Sequence, residues 1–470
     1  MITNLNIKNK MLKYQSKKTK KYSESGITLI ALVVTIIVLL ILIGVVINLI
    51  FSDHGIIAKA RESSDRTESA ALEEQEKLSE ADDYIGEMIS NSQGGNTDIP
   101  EGTDKLPSDG SYSEIKEVNT PDIENGQLIP IKWDSEKGEW IETTGDDEEW
   151  YEYGTTNDTK RWANAKTEDG SMWVWIPRYA YCITSGYHSS SAGTIEIEFM
   201  KGTRNESSRG RTVFQNESGA NNWNIHPAFE YGGTVSGIWV AKFEASRSDA
   251  TAQAPGSSET IKVQPGVQSW RKIKMDTAYT NCLNYNGNLN SHLMKNDEWG
   301  AVAYLSKSKY GKETEEVWKN NSSSFITGAA GNSASAGTDE GTDTNYASSQ
   351  GVEASTTGTV YGIYDMSGGA WELVAAYVDN GTPSLKNNGN SLYSTTDTKT
   401  KNVYASSRDS AENNYNENSG KYGDALYETS GEFSSNSGAW YADNSSYPYT
   451  GSPFFIRGGS HSITTSCRSI

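Results

Sequence analysis

Three kinds of hydrophobic pattern follow one another along the chain. Residues 27–51 hold no charged side chain in 25 positions and are apolar around the whole circumference of a helix. In residues 52–90, small and apolar side chains recur at spacings of three, four and seven among Glu, Lys and Ser, which predicts an amphipathic helix. Residues 91–122 contain almost no large apolar side chains, whereas residues 123–470 hold short apolar and aromatic runs between turn residues. The pattern predicts a membrane helix, a stem helix, a flexible linker and a folded domain.

The first apolar segment is long enough to cross a bilayer. As a helix with about 1.5 Å per residue it spans roughly 37 Å, against a hydrocarbon core of about 30 Å. Seven lysines lie in the basic leader, residues 1–26, and no such cluster follows the segment. The positive-inside bias therefore places the amino terminus in the cytoplasm. We expect a single-pass protein of the cell membrane with its C-terminal domain outside the cell.

Strands dominate the expected secondary structure of the domain. Alternating or continuous apolar runs predict strands at 128–133, 139–142, 172–183, 194–201, 237–246, 361–366 and 453–459. Helical spacing instead predicts two short helices at Thr277–Asn286 and Lys295–Ser308, the second capped by Asn296 or Asp297. Residues 312–358 and 379–450 are rich in Gly, Ser, Asn and Thr, and loops of that length are typical of binding surfaces or disorder. The expected class is α+β.

Charge and composition exclude several classes of function. The formal net charge is −20, and because the first 26 residues carry seven lysines and one glutamate (+6), the rest of the chain carries −26. A domain this acidic repels phosphate backbones, so we expect no nucleic-acid partner. Three cysteines cannot form a disulfide scaffold, and the five histidines show no metal-ligand spacing.

The junction before the apolar segment carries a resemblance of its own. It reads Ser25-Gly26-Ile27-Thr28-Leu29-Ile30 and resembles the leader of type IV prepilins and pseudopilins. The resemblance implies that a prepilin peptidase cleaves between Gly26 and Ile27 and that the new amino terminus is methylated. In that family the apolar helix remains as a membrane anchor and filament spine.

One position departs from the prepilin pattern. That family usually has a glutamate at the fifth mature position, where it pairs with a neighbouring subunit, and this chain has Ala31. Without a carboxylate there is no such registration between subunits. Assembly with other pilin-like subunits therefore stays open, as does the alternative of an uncleaved signal anchor.

Three segments of the domain carry a second resemblance. SHLMKNDEWGAVAYLS (291–306), VYGIYDMSGGAWELVA (360–375) and FFIRGGSHSITTSCRS (454–469) resemble, in order, three motifs of the formylglycine-generating enzyme, or sulfatase-modifying factor, family. The resemblance implies a C-type-lectin-like α+β fold, in which two short helices flank twisted antiparallel sheets and long loops form a ligand surface.

The second segment also implies a calcium site. The family's ligands are a side-chain oxygen, two backbone carbonyls and a carboxylate, which match Asp365, Gly368, Ala370 and Glu372. Hard oxygens on a flexible turn suit Ca²⁺. In the alternative interpretation Asp365 caps a turn, Gly368 and Gly369 supply positive φ, and Trp371 belongs to the core. Gly369 stands where the family usually has an asparagine.

Catalysis by this family needs a pair of cysteines near the carboxyl end to bind copper. The last third of this chain holds Cys467 alone, while Cys182 and Cys282 lie in a predicted strand and helix. We therefore expect neither copper nor enzyme activity.

Tyrosine and asparagine in the long loops are the expected binding residues, because they supply rigid contact area and adaptable hydrogen bonds. The candidates are Tyr393, Tyr404, Tyr415, Tyr422, Tyr427, Trp440, Tyr441, Tyr447 and Tyr449. In the alternative interpretation these aromatic residues form the loops' own core. The leading function is a pilin-like surface protein that displays a lectin-like module for an extracellular glycan or protein. The alternatives are a formylglycine-generating-type enzyme acting on exported proteins and a structural minor pilin or pseudopilin.

Overall fold

The computed structural model describes residues 112–123, 126–214, 219–406, 410–433, 438–443 and 447–463. They belong to one unit of the chain, Asp104–Ile470. The leader, the apolar segment 27–51, the stem and the processing site at Gly26 and Ile27 lie outside the described residues. Among the residues that are described, no helix combines the length and the apolar character needed to cross a membrane.

Seventeen strands, most of them short, make up the sheets of the described residues. Strands β1 to β9 are Tyr112–Ser113, Val118–Asn119, Ile129–Asp134, Glu139–Glu142, Glu152–Tyr153, Lys160–Arg161, Asn164–Lys166, Met172–Pro177 and Tyr179–Ser185. Strands β10 to β17 are Thr194–Phe199, Asn224–Ile225, Gly237–Ala241, Ala245–Arg247, Ile261–Val263, Glu372–Asp379, Asn402–Ala405 and Phe454–Arg457. The α-helices described are α1 (Met275–Leu283), α2 (Asn296–Ser306), α3 (Pro383–Ser394) and α4 (Ala411–Glu417).

The strands form several small sheets rather than one large one. The largest has five antiparallel strands in the order β12-β8-β7-β3-β4. A second antiparallel sheet has the order β10-β9-β11. In the third sheet, β16-β15-β17, the central β15 pairs in parallel with β16 and antiparallel with β17. The expected α+β class is confirmed at this coarse level, as helices accompany several small and mostly antiparallel sheets.

Buried aromatic side chains on the strands hold these sheets together. Strands β8 and β9 are separated by Arg178 alone, and nearly all their side chains are buried. Trp175, Tyr179 and Tyr181 from these strands join one hydrophobic core with all the apolar residues of α2. Burying large aromatic side chains contributes about 1.5–3 kcal/mol each, so this core holds α2 against strands β8 and β9.

Both expected helices are present, with shifted ends. Helix α1 begins at Met275 and α2 ends at Ser306. The expected cap of α2 was wrong: Lys295 is the N-cap, and its backbone N–H donates to Glu298 Oε2 at 2.8 Å. Asn296 and Asp297 are thereby the first two residues of the helix.

The prediction of only two helices and of a strand at 361–366 was also wrong. Helices α3 and α4, with strand β16 between them, lie in the range 379–450 that was expected to be loop. The segment 361–366 is irregular, with a turn and bends instead of a strand. The buried ammonium of Lys242 fixes it by donating to the carbonyls of Val360 and Gly362, both at 2.8 Å.

The described end of the predicted linker, 112–122, is folded against the domain. Strands β1 and β2 form a hairpin in which Val118 is fully buried. The side chain of Asn119 donates to the Ser236 carbonyl at 2.7 Å, and Trp239 Nε1 donates to the Asp122 carbonyl at 2.7 Å. The folded part therefore extends to Tyr112 at least.

Candidate functional site

The expected calcium ligands Asp365 and Glu372 lie around a third carboxylate, Glu244. The Glu244 backbone N–H donates to Asp365 Oδ2 at 3.1 Å, and the Ala370 N–H donates to Glu244 Oε1 at 2.9 Å. Burial, followed by the negative charges of Asp365 and Glu372, raises the pKa of Glu244 well above its ordinary value. Sequence reasoning missed Glu244, because nothing in its local pattern distinguishes it from the many other glutamates.

Asp365 organises the turn in which it lies. Its φ is +64°, and its carboxylate accepts hydrogen bonds from Asn320 Nδ2 at 2.8 Å and from the Gly328 N–H at 2.9 Å. Burial raises the pKa of Asp365 to about 6. Glu372 accepts a hydrogen bond from Trp299 Nε1 at 2.8 Å, and burial raises its pKa to about 7.

The turn that follows Asp365 agrees in part with the alternative interpretation. Gly368 and Gly369 have φ of +87° and +64°, as the turn-forming alternative expects. Trp371 is 56% exposed, so its expected place in the core was wrong. Within the described residues, no group of three or more His, Cys, Asp or Glu side chains has a metal-binding arrangement. Calcium at this turn stays a prediction.

The aromatic binding candidates divide into buried and partly exposed residues. Tyr404 is 2% exposed, Tyr415 5%, Trp440 0% and Tyr447 4%. Trp440 Nε1 donates to the Gly186 carbonyl at 2.8 Å. These four side chains form part of the domain core, as the alternative interpretation expected.

Tyr422 and Tyr441 are partly buried at the edge of that core. The Tyr441 hydroxyl donates to the Thr314 carbonyl at 3.2 Å, and its ring lies 3.8 Å from the Lys307 ammonium. Tyr422 instead lines an open cleft. Of the nine aromatic residues expected to bind a ligand, Tyr404 and Tyr422 are the ones placed together at this cleft.

The cleft has a volume of about 440 Å³ and is built from four separated parts of the chain. Its walls are Pro227, Asp297 at the start of α2, Asn402 and Tyr404 on β16, and the segment from Glu417 to Asp424. Small-molecule sites in proteins measure about 300–1,000 Å³. The cleft can therefore hold one small polar group or a single sugar ring.

Asp297 is paired with Asn402 on one wall of the cleft. Asn402 Nδ2 donates to Asp297 Oδ2 at 2.9 Å, and the Asp297 N–H donates to Asn402 Oδ1 at 3.0 Å. Asp297 Oδ1 is buried and accepts no hydrogen bond, and Lys295 Nζ lies 3.5 Å from it. This oxygen is ion-paired with the buried lysine and presents almost no surface to the cleft.

Asp424 supplies a second buried carboxylate. Its Oδ2 accepts a hydrogen bond from the Tyr404 hydroxyl at 2.7 Å, and that hydroxyl in turn accepts one from Asn296 Nδ2 at 2.7 Å. The Leu426 N–H donates to Asp424 Oδ1 at 3.2 Å. Burial raises the pKa of Asp424. The Tyr404 hydroxyl and the Leu426 N–H thus already donate to the carboxylate of Asp424.

Glu428 holds the cleft segment against the core. Its carboxylate accepts hydrogen bonds from the hydroxyls of Tyr181 and Tyr304, each at 2.8 Å, and from the Gly423 N–H at 2.6 Å. Burial raises the pKa of Glu428 to about 7. The segment that carries Asp424 is therefore fixed by strand β9 and helix α2.

Arg457 connects the cleft with the carboxylates of the expected calcium site. Its guanidinium donates to the Asp424 carbonyl at 2.8 Å and stacks 3.9 Å from the Trp299 ring. Trp299 is the residue that donates to Glu372. The two sites thus share one chain of side-chain contacts.

Comparison of the sequence with protein-family models gave no match, and comparison with curated proteins gave no significant match. The geometry of the cleft is therefore the basis for its interpretation.

Proposed function

We propose that this protein is a membrane-anchored, pilin-like surface protein. Its C-terminal domain is a lectin-like recognition module of the sulfatase-modifying-factor type, and the cleft binds an extracellular glycan or protein side chain. The observation that carries the proposal is the 440 Å³ cleft, in which carboxylates from α2 and from the 417–424 segment lie beside two tyrosines. A shaped cleft with a few convergent polar groups is the usual form of a small-ligand site.

The sequence supports the anchoring part of the proposal. A lysine-rich leader precedes 25 residues without charge, which favours insertion with the amino terminus in the cytoplasm. The junction at Gly26 and Ile27 resembles a prepilin cleavage site, so prepilin peptidase is the expected first partner. Other pilin-like subunits are further candidate partners.

Calcium belongs to the proposal as a structural ion. Asp365, Glu372 and the carbonyls of Gly368 and Ala370 would hold it, and it would neutralise part of the buried charge around Glu244. Through Trp299 and Arg457 the same residues are in contact with the backbone of Asp424. The ion would thereby stabilise the support of the cleft.

Three measurements on the full chain test this function. Intact mass of the membrane fraction should show loss of residues 1–26, and retention of these residues would contradict the pilin-like part. Protease added to whole cells should digest the domain, whereas a protected domain would contradict surface display.

Binding is tested with the full chain in lipid nanodiscs on glycan and protein arrays. We expect at least one ligand whose binding is lost in Asp297→Asn and kept in Glu139→Gln. Glu139 is an exposed carboxylate on β4, so that variant controls for the loss of one negative charge. If no ligand binds, or if binding is the same in both variants, the cleft is not a recognition site.

A further inference from the structure

A buried lysine holds Tyr441 at the end of helix α2. Lys307 is the C-cap residue of α2 and is only 3% exposed. Its ammonium donates to the Glu315 carbonyl at 2.7 Å and lies 3.8 Å from the centre of the Tyr441 ring. The Tyr441 hydroxyl donates to the Thr314 carbonyl at 3.2 Å. We call Lys307, Tyr441 and these two carbonyls the clasp, because together they tie residues 438–443 to the loop after α2.

The positive charge in the clasp is only partly compensated by its neighbours. Burial, which removes water from the ammonium, is the largest influence on the pKa of Lys307. The charges of Glu316, Asp443 and Glu315 favour the protonated form, whereas the charge of Lys312 opposes it. The Glu315 carboxylate also lies 3.6 Å from the Lys312 ammonium. The loss of water outweighs the negative charges and lowers the pKa of Lys307 to about 7.

Tyr441 enters the clasp with a strained backbone. Its φ is +59°, in the left-handed region that a bulky residue rarely adopts. The neighbouring Trp440 is fully buried, and its backbone N–H donates to the Thr429 carbonyl at 3.0 Å. These contacts hold the segment to the core without the clasp. Tyr441 can therefore leave the clasp by a local change that relieves its backbone strain while Trp440 stays in place.

On these grounds we propose that the clasp responds to protons, being closed while the Lys307 amine is neutral and opening when that amine takes up a proton. The open clasp returns the ammonium to water and presents the Tyr441 ring at the surface. A group whose pKa is lower in the closed state than in the open state takes up a proton on opening, so a falling pH favours the open state. The Tyr441 hydroxyl stays protonated near neutral pH, because burial raises its pKa above the ordinary value of tyrosine.

Hydroxyl-radical footprinting of the full chain in lipid nanodiscs tests the proposal, because oxidation measures how exposed the Tyr441 ring is. As the pH falls from 9 to 7, the ratio of open to closed clasp should rise by about tenfold per pH unit, and it should level off at lower pH. Oxidation of the peptide that contains Tyr441, measured by mass spectrometry, should follow this rise. Tyr449 is 51% exposed and serves as the internal reference, since its oxidation should be the same at every pH.

Variants of Lys307 predict opposite results. In Lys307→Met the side chain stays long and unbranched but carries no charge, so Tyr441 should stay protected at every pH. In Lys307→Arg the charge persists over the whole range, so Tyr441 should be oxidised at every pH. The matched control Lys386→Met removes one charge from an exposed position on α3 and should keep the pH dependence of the natural chain. Thermal unfolding verifies that each variant is folded.

Two results would overturn the inference. One is oxidation of Tyr441 that is equal at pH 7 and pH 9 or that increases with pH. The other is the same pH dependence in Lys307→Met as in the natural chain, because the proton would then bind at another residue. Neither result would bear on the proposed recognition function, since the residues that line the cleft are not part of the clasp.

Discussion

Gly300 of α2 lies directly against the backbone of Gly423. A Cβ atom at position 300 would overlap the Gly423 carbonyl oxygen and would be 2.8 Å from Asp424 Cα. Helix α2 and the segment that carries Asp424 can approach this closely because residue 300 has no side chain. The position of Asp424 beside α2 thus depends on a contact between two backbones.

Replacement of Gly300 by alanine should therefore displace the cleft segment. Overpacking of this kind costs about 1–3 kcal/mol, and we expect a loss of that size in the free energy of unfolding together with weaker ligand binding. Gly287→Ala is the matched control, since a Cβ there meets nothing within 4 Å. Equal stability of the two variants in urea unfolding would show that the contact is not rigid.

Glu428 should make the domain less stable as the pH rises. Burial raises the pKa of Glu428 to about 7, so the folded chain binds more protons than the unfolded chain between roughly pH 4.5 and 7. The free energy of unfolding should fall across that window, by an amount on the order of 3 kcal/mol. Urea unfolding at a series of pH values measures it.

Glu428→Gln isolates that contribution. The amide oxygen of glutamine does not titrate and can accept two of the three hydrogen bonds that Tyr181, Tyr304 and Gly423 donate. We expect the variant to be more stable than the natural chain at pH 8 and to have a flatter pH profile. An unchanged profile would mean that other buried carboxylates dominate the pH dependence.

His292 should contribute stability at lower pH. Its Nε2 lies 3.0 Å from Glu298 Oε1 and its ring stacks on Tyr231. Burial lowers the pKa of His292, but the charge and hydrogen bond of Glu298 outweigh it and the pKa is raised. Stability from this pair is therefore fully present below the ordinary histidine pKa and is lost as the pH rises through the raised value.

His292→Gln tests this sign. Glutamine can still donate a hydrogen bond to Glu298 but carries no charge. We expect the variant to be destabilised by about 1 kcal/mol more at pH 6 than at pH 9. A difference that is independent of pH would show that the histidine is neutral in the folded protein.

The calcium proposal predicts a ligand-dependent stability. Calcium at a hundred times its dissociation constant should add about 2.7 kcal/mol to the free energy of unfolding, and a chelator should remove it. Glu372→Gln should abolish this increase, whereas Glu139→Gln should keep it. Stabilisation that persists in Glu372→Gln would place any bound calcium elsewhere.

Sequence patterns predicted those elements whose apolar residues recur with a clear helical or strand period. The two helices around Tyr279 and Trp299 and most strands in aromatic runs were found this way. Helix α3 was missed because Gly389 and several asparagines lie inside it, and Gly389 has non-helical angles. Tertiary contacts hold it, including the Ser391 N–H that donates to Asp276 at 2.7 Å.

The cleft was only partly predictable because tertiary packing brings its residues together. Tyr404 and Tyr422 were named from composition, but Asp297 was considered only as a helix cap, and Asp424 was not considered. These residues converge because β16 and the 417–424 segment pack on the start of α2, and no local pattern encodes that approach. A buried carboxylate cannot be distinguished from an exposed one in a chain with 61 acidic residues.

The cleft segment combines residues of very different structural importance. Gly423 and Asp424 are buried and bonded to the core, whereas the neighbouring Lys421 is exposed and Tyr422 is only partly covered. Substitutions at Lys421 and Tyr422 can thus alter which ligand the cleft binds without disturbing the sheets beneath. A lineage of such proteins would be expected to diversify at Lys421 and Tyr422 first, while Gly423 and Asp424 remain constant.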